Sequence, residues 1–94
     1  EMGRSPKINK NGGRDHWGKL APLMLSGGGF DHGQVIGEST RDGGEPNSDP
    51  VTMNNLLGTV MHTLLDVGEV RLMENIPGKV KSLIADSVPI KNLS

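Results

Sequence analysis

The chain lacks cysteine and tyrosine, and its 94 residues include only one Trp and one Phe. Without cysteine there is no disulfide framework and no thiolate metal site, so a metal ion must be bound by histidine and carboxylate side chains. No apolar run approaches the roughly 18 residues of a membrane span, and no basic segment precedes an apolar stretch as in a signal peptide. The sequence therefore predicts no membrane segment within the chain.

The net charge is low, −1 at neutral pH, which argues against a general nucleic-acid or membrane binder. The charges are nevertheless unevenly placed. Residues 31–50 carry five acidic residues and one basic residue, whereas residues 1–20 carry two acidic residues and five basic ones. We expect an anionic ligand to be attracted to this N-terminal segment. Its basic residues are Arg4, Lys7, Lys10, Arg14 and Lys19.

Large apolar side chains are sparse. Leu, Ile, Val and Phe supply 23 of the 94 residues, which is above the level typical of disordered chains but provides only a thin core. The chain also begins with Glu rather than Met, and we expect a processed or excised piece. The sequence predicts one partial domain over residues 1–94.

Glycine, proline and polar residues divide the chain into short elements. Residues 5–19 and residues 37–50 are turn-rich and polar, and they are predicted to be loops. Between them, the apolar run Leu20–Leu25 is typical of a short buried strand, although Pro22 favours an edge or early strand position. Residues 34–36 are a candidate second strand, and the tail "SVPIKNLS" is predicted to be an extended chain end.

The clearest element is a helix from about Met53 to Asp66. Its apolar residues recur with the spacing of one buried stripe, and Thr52 is the expected N-cap, with Gly68 just past the end. The stripe comprises positions 53, 56, 57, 60, 61, 64 and 65.

Asp15 and His16 form the candidate site. Neighbouring side chains point to opposite faces of a strand, so the two can bind one ion only from a loop or turn, which Gly12 and Gly13 allow. Carboxylate and imidazole suit zinc or another divalent ion, but an ion requires four or more ligands. The alternative interpretation is a solvated pair in a charged loop. With a metal nearby, Arg4, Lys7 and Arg14 would suit a phosphate or sulfate group, and otherwise they form a solvated face.

The other two histidines are weaker candidates for metal binding. His32 is the nearest additional ligand in the sequence, and His62 lies on the predicted helix far from the apolar stripe. Simple exposure to solvent is the favoured interpretation of both residues. Trp17 is interpreted as a packing residue that anchors its loop.

Several motifs, taken in order, resemble one bacterial family. They are "EMGRSPKINKNGGRDHW", "LMLSGGG", "GQVIG", "PVTMNNLLGTVMHTLLDVG" and "VPIKNL". Together they look like the C-terminal part of the sulfatase-like domain of unknown function 1501, within the alkaline phosphatase superfamily. The resemblance covers nearly the whole chain, and the first motif is highly specific.

The resemblance implies a fold and an activity. The fold would be the C-terminal fragment of an alkaline-phosphatase-like α/β sandwich with a mostly parallel sheet. The activity would be metal-dependent hydrolysis of phosphate or sulfate esters, in a periplasmic or secreted bacterial protein. Zinc would be the metal, with manganese or calcium as alternatives, and Asp15-His16 would match the family's Asp-His ligand pair.

The resemblance also assigns roles to single residues. Arg4 and Arg14 match the first motif and would bind the anionic group. His62 matches the helix motif, whereas His32 departs from the family pattern. The nucleophile would lie outside this chain, so the fragment alone would be inactive.

Two other functions stay open. The protein could be a non-catalytic descendant with a binding or structural role, which the absence of a nucleophile upstream would indicate. It could also be an anion-binding module that uses only the basic N-terminal loop, so that ligand binding would survive mutation of both Asp15 and His16.

Overall fold

A computed structural model describes residues 1–93. The chain forms two compact units. The first, here called the hairpin unit, contains Glu1–Ser26 and Gln34–Pro50; the second, the helical unit, contains Gly27–Gly33 and the chain from Val51 onward. Ser94, the last residue of the predicted extended tail, lies outside the described residues.

The hairpin unit is organised by a two-stranded antiparallel sheet. Strand β1 is Gly3–Arg4 and strand β2 is His16–Trp17. In the register of this pair, Gly3 lies opposite Trp17 and Arg4 lies opposite His16. The intervening residues close into a turn in which the Gly12 N–H donates to the Asn9 carbonyl at 3.0 Å. The predicted loop at 5–19 is therefore a short hairpin rather than irregular chain.

The acidic loop forms a second hairpin-like turn. Ser39 and Pro46 pair as an isolated antiparallel bridge, and the Thr40 N–H donates to the Glu45 carbonyl at 2.8 Å. The Asn47 N–H donates to the Glu38 carbonyl at 2.9 Å. These bonds hold the polar segment in one conformation without helix or extended strand.

The two predicted strands at 20–25 and 34–36 are not strands among residues 1–93. A strand pairs its N–H and C=O groups with a neighbouring strand, and the sheet of the described residues contains only β1 and β2. Their side chains are correspondingly exposed, 89% for Met24 and 93% for Val35. The two strands predicted from the apolar pattern are therefore wrong for the described residues.

The helical unit contains α1 (Met53–Leu64), α2 (Val67–Leu72) and α3 (Gly78–Asp86). The predicted N-cap is confirmed: the Thr52 side chain accepts from the Asn55 N–H, and Asn55 reciprocates to the Thr52 N–H in a capping box. The helix ends at Leu64 instead of Asp66, because Asp66 is the N-cap of α2 and accepts from the Glu69 N–H at 3.2 Å. Gly68 consequently lies inside α2.

A small core joins the three helices. Ile84 is 1% exposed and packs with Val67 and Val70. Partly buried Met61, Ile76 and Val80 surround this cluster. Only three apolar residues are buried among residues 1–93, in agreement with the thin core expected from the composition.

The predicted buried stripe of α1 is wrong for most of its length. Met53 and Leu64 are 69% and 75% exposed, whereas Gly58 and Thr59 are buried. The helix turns its small and polar face towards the chain segment at residues 87–90, which passes directly over Gly58. Leu56 and Met61 alone of the stripe are half-buried.

Polar side chains on that face bind the backbone of the passing segment. The Asn55 Nδ2 donates to the Val88 carbonyl at 2.9 Å, and the Ile90 N–H donates to the Thr59 hydroxyl at 2.9 Å. These two bonds satisfy backbone groups of the passing segment, which the apolar side chains of α1 could not do.

Within the described residues the sheet is two-stranded and antiparallel, beside three helices. An α/β sandwich with a mostly parallel sheet stays a prediction. None of the helices in residues 1–93 is long and apolar enough to span a bilayer.

Candidate functional site

Ser5 connects the two sides of the first hairpin. Its side chain is 6% exposed. The Ser5 N–H donates to the Asp15 carbonyl at 2.9 Å, and the Asp15 N–H donates to the Ser5 hydroxyl at 3.1 Å. The same hydroxyl donates to the Lys7 carbonyl at 2.8 Å. Ser5 therefore extends the ladder of β1 and β2 by one residue pair, up to Asp15.

Arg14 reinforces this closure. Its Nη1 donates to the Ser5 carbonyl at 2.9 Å and to the Pro6 carbonyl at 2.8 Å. Pro6 breaks the strand and leaves these two carbonyls without ladder partners, so a side-chain donor satisfies them. Arg14 thus has a structural role in the hairpin, whatever its other guanidinium nitrogens bind.

Asn9 organises the tip of the hairpin. Its Oδ1 accepts from the Asn11 N–H and from the Gly13 N–H, both at 3.0 Å. Its Nδ2 donates to the Asp15 Oδ1 at 3.1 Å. The Asp15 carboxylate is therefore tied to the turn through one oxygen.

Arg4 and His16 are cross-strand neighbours. Directly opposed side chains of an antiparallel pair lie on the same face, with Cβ atoms about 5 Å apart. Both side chains are exposed, and no hydrogen bond or ion pair engages the Arg4 guanidinium within residues 1–93. Arg4 and His16 together present a cation and an imidazole to an incoming ligand.

Gly3 makes this register possible on the opposite face. A Cβ at Gly3 would lie 1.8 Å from the Leu20 carbonyl oxygen, so any side chain there would collide with backbone. Trp17 is its partner across the ladder.

A complete metal site is not formed by the described residues. Among residues 1–93, no group of three or more His, Asp or Glu side chains lies close enough to hold an ion. His16 lies in β2 while Asp15 directly precedes it, and successive side chains along a strand diverge. The donor types of Asp15 and His16 suit zinc, but the number of donors does not.

His32 lies in the helical unit, within the glycine turn. Its Nε2 accepts from the Gly27 N–H at 2.9 Å, and the Phe30 N–H closes the turn by donating to the Gly27 carbonyl. An Nε2 that accepts a hydrogen bond is unprotonated, and its lone pair is already used. A metal at this nitrogen would have to displace the bond to Gly27.

His62 is exposed on α1, as its position relative to the apolar stripe predicted. It borders a cleft of about 210 Å³ with Thr59 and Thr63 from the same helix. Phe30 and the tail residues Pro89, Ile90 and Leu93 complete the lining, together with Gly28. Among residues 1–93 no carboxylate lines this cleft, so the described lining does not resemble a metal site.

Trp17 anchors the acidic loop. Its indole Nε1 donates to the Gly44 carbonyl at 2.7 Å, and Gly44 is buried. Lys19 lies 5.3 Å from the centre of the Trp17 ring and pairs with Glu45 at 2.7 Å. The interpretation of Trp17 as an anchor agrees with this geometry.

Asp42 stabilises the tip of that loop. Its Oδ1 accepts from the Thr40 hydroxyl at 2.6 Å and from the Gly44 N–H at 3.0 Å. These hydrogen bonds, first that of Thr40 and then that of Gly44, hold the pKa of the Asp42 carboxyl below its ordinary value. The positive charge of Lys7 lowers the pKa further by a smaller amount.

Comparison with known proteins places the chain in one family. A family model described as "Protein of unknown function (DUF1501)" matches residues 1–93. The chain belongs to the DUF1501 family. Neither the curated proteins nor the solved structures contain a significant match to it. Membership in DUF1501 confirms the family part of the sequence resemblance and does not by itself supply an activity.

Sequence reasoning missed the two residues that build this DUF1501 hairpin, Ser5 and Asn9. Asn9 could have been recognised from the sequence. It is separated by one residue from the Asn-Gly pair, and an Asn at such a place favours a turn closed by its own side chain. Ser5 carried a weaker one, a hydroxyl directly before the strand-breaking Pro6. Neither signal indicated that both residues hold Asp15.

Proposed function

We propose that the hairpin binds the anionic group of a phosphate or sulfate ester, and that the chain is the C-terminal part of a metal-dependent hydrolase of such esters. The observation that carries the proposal is the pairing of Arg4 with His16 across β1 and β2. Arg4 offers a rigid fork of donors that suits phosphate or sulfate, without a competing partner in residues 1–93.

In this proposal each residue of the hairpin has its own task. Arg4 binds two oxygens of the anion, and Lys7 adds a positive charge nearby. Arg14 holds the backbone of Ser5 and Pro6, so that the face carrying Arg4 keeps its shape. Asn9 orients the Asp15 carboxylate.

Asp15 and His16 would each serve as a ligand of divalent metal, zinc or alternatively manganese or calcium. Their side chains diverge along the ladder, so the proposal does not require both to bind the same ion. The remaining ligands and the nucleophile would come from outside the described residues. Such an ion supplies Lewis-acid chemistry and lowers the pKa of a bound nucleophile. His32 and His62 lie in the helical unit, and this proposal assigns them no role.

The same proposal extends to the fold and the location. The chain would be a segment of an alkaline-phosphatase-like α/β domain in a periplasmic or secreted protein. The exposed apolar side chains of Leu23, Met24 and Val35 support a larger core that covers them.

The first test measures metal content in the protein that contains this chain, for wild type, Asp15→Ala and His16→Ala. We expect bound divalent metal in wild type and a loss in each variant. If wild type and both variants are all metal-free after incubation with zinc, manganese and calcium, the metal part of the proposal is contradicted.

The second test measures binding of inorganic phosphate and sulfate to Arg4→Ala. We expect the binding free energy to weaken by about 1.5–3 kcal/mol, the usual contribution of a hydrogen bond to a charged group. Arg41→Ala, which removes a cation from the acidic loop of the same unit, serves as the matched control. Equal affinity of wild type and Arg4→Ala for phosphate and sulfate would contradict the proposal that Arg4 binds the anion.

A metal-free anion-binding module is the second candidate. It is favoured by the absence of a third histidine or carboxylate ligand near Asp15 and His16 in residues 1–93. Phosphate binding that survives the double variant Asp15→Ala/His16→Ala but not Arg4→Ala would select it over the hydrolase. A non-catalytic binding or structural protein would show neither metal nor anion binding.

A further inference from the structure

The tip of the hairpin carries the one Asn-Gly pair of the sequence, Asn11-Gly12. Asn11 is a central residue of the turn from Asn9 to Gly12, and its side chain is exposed. Gly12 has no side chain to hinder approach to its backbone nitrogen, and it adopts a left-handed φ of 78°. These are the local requirements for reaction between the Asn11 carboxamide and the next backbone nitrogen.

The reaction needs only water as a co-reactant. The Gly12 nitrogen attacks Cγ of Asn11 and forms a new C–N bond. The Cγ–Nδ2 bond then breaks, and Nδ2 leaves as ammonia with the proton that the Gly12 nitrogen gave up. Water opens the resulting five-membered imide at either carbonyl, which yields aspartate or isoaspartate at position 11.

The folded turn opposes this attack. The Gly12 N–H donates to the Asn9 carbonyl at 3.0 Å, so the attacking nitrogen is already engaged. The N–H groups of Asn11 and Gly13, on either side of it, donate to the Asn9 Oδ1 at 3.0 Å each. Rotating the Asn11–Gly12 peptide towards the Asn11 side chain would disrupt this set of bonds, two of which depend on the Asn9 side chain.

We propose that Asn11 is a deamidation site whose rate is controlled by the Asn9 side chain. Conversion adds a negative charge to a segment in which basic residues outnumber acidic ones by five to two. Isoaspartate also lengthens the backbone by one atom and cannot preserve the same turn. The modification would thus change both the charge and the shape of the hairpin, and it does not depend on the function proposed above.

The test follows deamidation by peptide mapping and mass spectrometry during incubation at mildly alkaline pH. Asn9→Ala should deamidate at Asn11 several-fold faster than wild type. Asn9→Asp should deamidate more slowly than Asn9→Ala, because a carboxylate oxygen still accepts from the Asn11 and Gly13 N–H groups, although its charge repels Asp15. Asn11→Gln should lose the reaction at this position, since its longer side chain closes a larger ring more slowly.

Wild-type protein in urea provides a reference that needs no folded variant. Asn11 should deamidate several-fold faster in urea than in the folded protein. Equal rates in urea and in the folded state would overturn the proposal, as would equal rates in Asn9→Ala and wild type. Failure to detect any product at Asn11 in urea would also overturn it.

Discussion

The Asn9 carboxamide donates to the Asp15 carboxylate at 3.1 Å, while its oxygen accepts from two N–H groups of the turn. One uncharged side chain therefore connects the tip of the hairpin with the residue that leads into β2. The position of Asp15 depends on this connection as well as on Ser5.

Replacing Asn9 by Ala should destabilise the hairpin unit. The change removes three hydrogen bonds at an exposed site, and we expect a loss of about 1–2 kcal/mol in the free energy of unfolding. Trp17 is the single Trp of the chain, and its fluorescence during urea denaturation measures this loss. Asn9→Asp is the matched variant, because it keeps the turn acceptor but places a second negative charge beside Asp15. It should lose less stability than Asn9→Ala at high salt, where the repulsion between the two carboxylates is screened; an Asn9→Ala protein as stable as wild type would contradict this role.

The Asp42 loop should lose order in acid. Hydrogen bonds from Thr40 and Gly44 favour the charged carboxylate and hold the Asp42 pKa below its ordinary value of 3.8. A depressed pKa stabilises the folded loop above that value, and the stabilisation disappears as pH falls through the lowered pKa. Trp17 fluorescence should report the transition, because its indole donates to Gly44. In Asp42→Asn this change in fluorescence should be absent. If the variant shows the same change in acid as wild type, a group other than Asp42 causes it.

Gly58→Ala should weaken docking of the tail on α1. Ala in place of Gly favours an isolated helix by about 1 kcal/mol. At Gly58 the added Cβ would lie 3.0–3.1 Å from backbone atoms of residues 87–89, which cannot rotate away. We expect net destabilisation by about 1–3 kcal/mol, as for overpacking, measured by thermal unfolding followed by circular dichroism.

Gly78→Ala is the control for that experiment. Gly78 begins α3, and a Cβ there meets no atom within 4 Å. This variant should be as stable as wild type or more stable by up to about 1 kcal/mol. If both alanine variants stabilise the protein equally, the tail does not pack over Gly58 in solution.

Ile84→Ala should unfold much of the helical unit. Ile84 is the most buried large side chain among residues 1–93 and contacts the cluster of Val67 and Val70. Truncation of a buried Ile costs about 2–5 kcal/mol, which is a large share of the stability of so small a core. Val88→Ala, at a residue that is 58% exposed, should change the unfolding midpoint little. Equal effects of the two substitutions would show that Ile84 is not the centre of the core.

Local signals in the sequence predicted some elements well. Thr52 marked the start of α1, because an N-cap depends only on residues within the first turn. The polar loop at 37–50 was also expected, although its internal hydrogen bonds were not, and the segment at 5–19 contains the unpredicted strand β2. Ser5 and Asn9 act across about ten residues of chain, which a local pattern does not show.

The apolar pattern was less reliable, for a physical reason. Periodicity identifies which residues prefer burial, but burial requires a second surface. The segment at 20–25 has no partner strand in residues 1–93. On α1, the tail packs against the face of Gly58 and Thr59 instead of the apolar stripe, and the Thr59 hydroxyl accepts a hydrogen bond from the tail. The prediction of metal ligands has a similar weakness. Asp15 and His16 are adjacent in the sequence, but adjacency does not make their side chains converge.

The sequence by itself determined the family, the charge asymmetry and the start of the main helix, because each depends on composition, motif or neighbouring residues. Only the tertiary structure decided which face of α1 is covered, that Arg4 and His16 are neighbours, and that Asn9 holds Asp15. These relations join residues distant in the chain, and they follow from hydrogen-bonding and packing partners that no local pattern specifies.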